Sequence, residues 1–268
     1  MGLSRRLRGA MWGVFYYQVD RKPHWSRSWL KSEPDEAAEE KMADGTALSL
    51  EAPAWLEAGE RGLSTDEMTG IHALERTPPP IPMGPGRVER RECADIRRGP
   101  LTLIANVDVA PGTIVGPSLG PTRTAEDFVA HPTRTVASDP EATRWHVVTD
   151  NLHMHQSESL GRFVADHDGI EDDLGHKAQR GLLQSMAPRA AFLSAPTHRM
   201  VLHSTPNHAS WMHQSARWCS IVVRKVLKRA SFPSVADLQA RILAFMASFH
   251  ATMAKPLKWT YGRKPLSV

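Results

Sequence analysis

The chain has 268 residues, 41% of them hydrophobic and 23% charged, with a formal net charge of +4. That is enough for one sizeable core and a small appendage, and it excludes a low-complexity or disordered chain. No apolar run reaches the length that spans a bilayer as a helix, and the two cysteines, Cys93 and Cys219, show no metal-ligand spacing, so a reducing cytoplasm is the expected location.

The first segment, MGLSRRLRGAMWGVFYYQV, has a basic head and an apolar patch, as a secretory signal would. Gly13 and Gln18 break the patch and no small-residue cleavage site precedes Asp20, so it reads as the remnant of an upstream domain. SEPDEAAEEKM (32–42) predicts the start of an acidic helix with Ser32 as N-cap. GLSTDE (62–67) reads as a short strand ending in acids. TPPPIPMGPG (77–86), with its prolines and glycines, is a loop or the tip of an irregular hairpin.

LTLIANVDV (101–109), the Pro-Gly turn at 111–112 and TIVG predict a β-hairpin. A helix over 124–137 with Thr124 as cap follows, then a strand in TRWHVVTDN (143–151), a helix from Ser157 to Asp166 and a short strand, HRMVLH (198–203). After Thr205-Pro206 the sequence turns helical to about residue 250. Ser234 with Asp237 resembles a capping box, and Val235, Leu238, Ile242, Phe245, Met246 and Phe249 follow at helical spacing as a core stripe. Strands, then alternating helix and strand, then helices predict a mixed sheet covered by helices, in the α/β or α+β range.

Charge is unevenly spread. From residue 196 onward there are 11 Lys and Arg against one acid, Asp237, while the preceding chain is mildly acidic. A basic end of this kind suits a polyanion, because local field and not net charge attracts phosphate; a solvated helix face with a loose tail would have the same composition. Asp66 and Asp150 both fall where a predicted strand ends, the place where side chains of such sheets do chemistry. Alone, either is an ordinary turn former. Together, on neighbouring strands, two carboxylates would hold Mg²⁺, a hard cation that takes oxygen ligands and keeps several waters.

Several strings, in one register from about residue 24 to 266, carry a family resemblance. STDEMTGIHALER (64–76) resembles the first acidic motif of mariner-related bacterial insertion-sequence transposases, the DDE type. RRGPLTLIANVDV and LGPTRTAEDFVAH look like the hairpin and helix that follow it, and VVTDNLHMHQSESL (147–160) is similar to the second acidic motif. STPNHASWMHQSARWCSIVVRKVLKRASFPSVADLQARI resembles the third motif and its helices, and TMAKPLKWTYGRKPL the basic C-terminus. The resemblance implies a ribonuclease-H-like mixed sheet flanked by helices, a short helical N-terminal remnant, and a carboxylate triad working with Mg²⁺ or Mn²⁺. It also implies hydrolysis at transposon ends followed by joining to target DNA. Residues 1–55 would be the remnant of a helix-turn-helix region and its linker, and 56–268 the catalytic-type domain.

Asp66 and Asp150 stand at the first two acidic positions of that family, as catalytic and metal-binding residues. The third position, a Glu in the family, is Ala216, and position 213, commonly Asn, is His. Alanine offers no oxygen and Arg217 beside it has the wrong sign for a cation, so metal binding should be weakened and catalysis impaired. His213, one helical turn before Ala216, is a poor substitute because imidazole suits zinc or manganese better than magnesium. Fewer than the usual residues precede the acidic helix, so specific recognition of element ends is in doubt. DNA contact is assigned to Arg224, Lys225, Lys228 and Arg229 on a predicted helix, and to Lys255, Lys258, Arg263 and Lys264 near Trp259 and Tyr261. A homodimer is compatible with this scheme. Two competing readings stand beside it: a non-catalytic DNA-binding descendant, and a His-dependent metallohydrolase using His153 and His155, with His203, His208 and His213 nearby.

Overall fold

The computed structural model describes residues 37–76, 81–90, 95–122, 125–150, 156–206 and 212–256, with backbone only at 125–128. The expected remnant at 1–31, the Ser32 and Thr124 caps, Cys93, His153, His155 and His208 lie outside these residues. So do Lys258, Trp259, Tyr261, Arg263 and Lys264.

Five strands form one sheet in the order β3-β2-β1-β4-β5. They are β1 (Glu60–Arg76), β2 (Asp95–Asp108), β3 (Thr113–Gly120), β4 (Arg144–Thr149) and β5 (Met200–Ser204). β1, β2 and β3 are an antiparallel meander, whereas β4 and β5 run parallel to β1. This is the ribonuclease-H-like mixed sheet that the sequence led us to expect. Among the described residues six helices flank it: α1 (Ala38–Glu57), α2 (Ala125–Ala137), α3 (Glu158–Asp168), α4 (Met186–Leu193), α5 (Gln214–Val222) and α6 (Val235–Thr252).

Side-chain alternation assigns the helices to faces. Leu101, Leu103, Ala105 and Val107 of β2 turn toward Trp218 and Val222 of α5 and Leu238, Ile242, Met246 and Phe249 of α6. The predicted apolar stripe of α6 is therefore core, and Ser234 caps that helix by accepting from Asp237 N at 3.1 Å. α1 covers the β4 end of the same face through Leu48 and Ala52 against Val148. It comes close because residue 62 is glycine: a Cβ there would meet that of Ala52 at 3.2 Å. On the opposite face Leu63, Ile104, Trp145 and Val147 pack against Leu160 and Val164 of α3 and Leu193 of α4.

Two expectations need correction. β1 does not stop at the acids: it runs through Asp66 and Glu67 to Arg76, because β2 supplies an antiparallel partner along nearly all of that length. The pair is a long irregular hairpin, with isolated bridges Ile81↔Arg90 and Gly84↔Arg87 where the prolines and glycines gather. The basic run after α5 is no continuous α-helix either. Val223–Leu227 is a π-helical turn, and a bend at Lys228 and Arg229 follows it.

Candidate functional site

The β1–β4 ladder pairs Glu60 with Arg144 and ends at Ser64 with Val148, a constant offset of 84 residues. Asp66 and Asp150 are separated by the same 84 positions, two steps beyond the last pair. Continued by two residues past the C-terminal end of the pairing, the same register would set the two aspartates side by side. Asp66 sits opposite Ala105, whose side chain lies under α5 and α6, so its carboxylate belongs to that face. Asp66 Oδ1 accepts from the Glu67 backbone N–H at 2.8 Å. Asp150 directly follows β4 and, like Asp66, is partly buried.

α5 closes the third side. Its first turn is pinned to β1 by two wholly buried serines, with 3.1 Å between Ser64 Oγ and Ser215 Oγ. Ser215 N also donates to Ser64 Oγ at 3.3 Å. Ala216 is the next residue, so the position that would carry a third acid starts one residue from a contact made two residues from Asp66. Cys219, one turn further along α5, reports the same proximity. Burial pushes its thiol up to about 12, and the negative charge of Asp66 adds to the shift. Such a thiol stays protonated and is no nucleophile at neutral pH.

Beside this turn lies a cleft of about 430 Å³ whose lining includes Gln214, Arg217 and Trp218 of α5, Phe249 of α6, and Lys255. The chain after α6 reaches it by a close approach: at Gly112, with φ of +74°, a Cβ would meet the Lys255 carbonyl oxygen at 2.1 Å. Arg224, Lys225, Lys228, Arg229 and Lys255 are all exposed. Thus the five described members of the predicted basic surface are solvent-facing, and Lys255 is the one of them that reaches the cleft.

The donor set meets a divalent ion part-way. Two carboxylates with water completing the shell suit one hard cation. At the third corner stand a methyl group and, next to it, an exposed guanidinium. Among the described residues no group of three His, Cys, Asp or Glu side chains is placed to hold a metal. His213 is buried at the start of α5, with Nε2 3.2 Å from Thr205 Oγ1. His203 is engaged elsewhere: its Nδ1 lies 2.8 Å from Asp44 of α1 and its Nε2 3.1 Å from His146 Nδ1. His146 in turn reaches Glu60 at 2.9 Å and stacks on Trp55 of α1 at 3.8 Å. These imidazoles tie α1 to the sheet.

One ionisable group escaped the sequence reading. Asp108, at the end of β2, is 4% exposed, and burial is the main cause that lifts its carboxyl to about 6. The signal was a lone acid inside an apolar run, LTLIANVDV. Its neighbour Arg61 is ion-paired with Asp139.

Asp66 lies just past the β1–β4 pairing, Asp150 directly follows β4, and Ala216 is in the first turn of a helix pinned to β1. Residues 62–239 match the family model described as DDE superfamily endonuclease, and the chain belongs to that family. Its fold also aligns with the crystal structure of the Mos1 mariner paired end complex with Mn, at 12% identity and a TM-score of 0.49, covering 88% of this chain and 63% of that one. The Mos1 strand transfer complex aligns at 10% identity and 0.48, covering 89% and 62%. A pre-cleavage Mos1 transpososome gives 11% and 0.48, covering 90% and 63%. The chain therefore spans under two thirds of the length of these proteins. No curated protein matches it in sequence.

Proposed function

We propose that this chain is the catalytic-type domain of a DDE transposase that engages DNA and is impaired in strand cleavage and transfer. The observation that carries the reading is the shared offset of 84 between the β1–β4 ladder and the Asp66–Asp150 pair, with the first turn of α5 held against β1 beside them. Asp66 and Asp150 are the residues that would hold Mg²⁺ or Mn²⁺. When bound, such an ion supplies activation of a water and charge relief at the leaving oxygen of a phosphodiester. The chain's own residues orient that chemistry. Ser64 and Ser215 fix α5 relative to β1, while Arg217, Lys255 and the exposed Arg224, Lys225, Lys228 and Arg229 neutralise the DNA backbone. Lys258, Arg263 and Lys264 extend the same basic stretch in sequence.

Impairment follows from Ala216. Loss of one carboxylate from a metal site costs on the order of 10²-fold or more in affinity or activity, by the standard set by even indirect supporting ligands. The test is cleavage of a duplex carrying the cognate element end, with Mg²⁺ or Mn²⁺, by the natural chain and by Ala216→Glu. The expected result is a gain of roughly 10²-fold or more with glutamate. Equal activity in the two proteins would overturn the assignment of residue 216.

A second reading is favoured by the same alanine: a DNA-binding descendant that no longer cuts and acts by occupying DNA or by forming mixed dimers. In that case Ala216→Glu gives no cleavage, while DNA binding persists in both proteins.

A further inference from the structure

Away from the two aspartates, the start of α3 opens a second cleft of about 400 Å³, lined by Ser157, Glu158, Ser159, Arg162, Lys177, Met186 and Arg189. Three cations face it against one carboxylate. Arg189 is the unusual member. It is 5% exposed, yet among the described residues no acid pairs with it: Nε donates to the Gln156 carbonyl at 2.6 Å and Nη1 to the Leu183 carbonyl at 2.7 Å. A buried guanidinium satisfied only by backbone carbonyls keeps its full charge, and its planar fork is held ready for an anion. Arg162 is likewise fixed, through Glu158 at 2.7 Å and the Gly175 carbonyl at 2.9 Å. Lys177 brings an exposed ammonium that no carboxylate among the described residues engages, while its backbone N–H donates to Glu158 Oε2 at 3.2 Å. The first amides of α3 add their partial positive charge, since Ser157 Oγ caps only the N–H of Leu160.

The cleft's position says which anion suits it. The chain leaves β4, passes Asp150 and enters α3 eight residues later, which bounds the separation at about 28 Å. α3 thus begins within that reach of Asp150, which directly follows β4. The geometry points to a phosphate-binding site for the DNA backbone, formed by Arg162, Lys177, Arg189 and the N-terminus of α3, that seats a duplex flanking the carboxylate pair. This rests on the DNA-binding reading above and adds to it a contact separate from the basic C-terminal stretch.

The full chain is titrated with a fluorescent duplex of about 25 base pairs over a range of salt, without divalent metal. Lys177→Glu is the main variant, because Arg189 is structural and its loss could unfold the protein. Lys177→Met, which keeps the stem, removes charge alone. Arg90→Glu, exposed on the β1–β2 connection, changes net charge by as much as Lys177→Glu from another surface. Expected are a loss of affinity of about 10-fold for Lys177→Glu, a smaller loss for Lys177→Met, and a salt slope lower by about one. Arg90→Glu should move affinity less than about twofold. Sodium phosphate, at ionic strength matched to chloride, should compete no better than chloride.

Unchanged affinity and slope in Lys177→Glu, with weakening in Arg224→Glu/Lys225→Glu, would overturn the cleft and leave DNA binding standing. Equal weakening by Arg90→Glu would also overturn it, in favour of a diffuse field. Strong competition by phosphate would make this a free-anion site. No binding by the natural chain at low salt would defeat the DNA reading itself.

Discussion

At the scale of single residues, the chemistry is decided by what burial does to carboxyl groups. Asp108 makes the point with a group that the proposed reaction does not use. Its folded-state value of about 6 stands above the ordinary aspartate value of 3.8, with burial the main cause and the backbone N–H of Ala110 and the charge of Arg61 opposing it. The unfolded chain therefore gives up this proton first as pH rises. The contribution of Asp108 to stability is full below about pH 4 and is lost as pH climbs through 6, a penalty of up to about 3 kcal/mol. Asp108→Asn keeps an oxygen for the Ala110 N–H and removes the ionisation. Urea unfolding should find the variant more stable by about 1–3 kcal/mol at pH 7.5 and little changed at pH 4. A variant less stable than the natural chain at pH 7.5 would mean that the carboxylate is held charged by Arg61 after all.

At the scale of elements, the strand that carries Asp66 is positioned by a buried polar network on the opposite face of the sheet. Thr65, next in sequence to Asp66, donates to Asn106 Oδ1 at 2.6 Å. Asn106 Nδ2 donates to Thr135 of α2 at 2.7 Å and to the Val115 carbonyl at 3.2 Å. His131 Nε2 lies 2.9 Å from Asn106 Oδ1, and its Nδ1 lies 2.9 Å from Ser118 Oγ. With Thr65 and His131 both donating to that one oxygen, His131 carries a proton on Nε2 while its Nδ1 faces the Ser118 hydroxyl. Asn106 is 1% exposed, so Asn106→Ala strands several buried groups at once. We expect a loss of about 2–4 kcal/mol in denaturant unfolding, and Asn106→Asp should also destabilise at neutral pH by burying a charge. A loss below 0.5 kcal/mol would show that water replaces the amide.

None of this network was legible in the sequence, because Thr65, Asn106 and His131 are brought together only by strand register and the docking of α2. By contrast α6 was readable from its stripe and cap, and α3 from Ser157, since local periodicity and capping determine both. α4 has no capping bond and only eight residues, too few for a pattern to stand out. The extension of β1 past Asp66 was hidden for a similar reason: two adjacent acids look like the end of a strand until a second strand is there to pair with them. The aspartates were legible as a pair through the motifs around them, but the 84-residue offset they share with the β1–β4 ladder is a parallel register that no local window contains.

At the scale of the whole molecule, the carboxylates and the exposed cations are parts with separable jobs. Arg224, Lys225, Lys228 and Arg229 project from the π turn and the bend after it, and among the described residues no carboxylate pairs with them. If these cations supply most of the affinity, DNA binding is governed by counterion release and not by the metal site. Arg224→Glu/Lys225→Glu should then weaken binding at 100 mM salt and lower the salt slope by about two. Asp66→Asn/Asp150→Asn should leave metal-free affinity within about twofold, because it alters neither the cations nor the sheet that carries α5. Placed in the Ala216→Glu background, the same double asparagine must abolish whatever cleavage glutamate restores, since only neutral amide oxygens replace the two carboxylates that would hold the ion. Binding that collapses with the asparagines, without metal present, would mean that the aspartates shape the fold and do not serve the reaction.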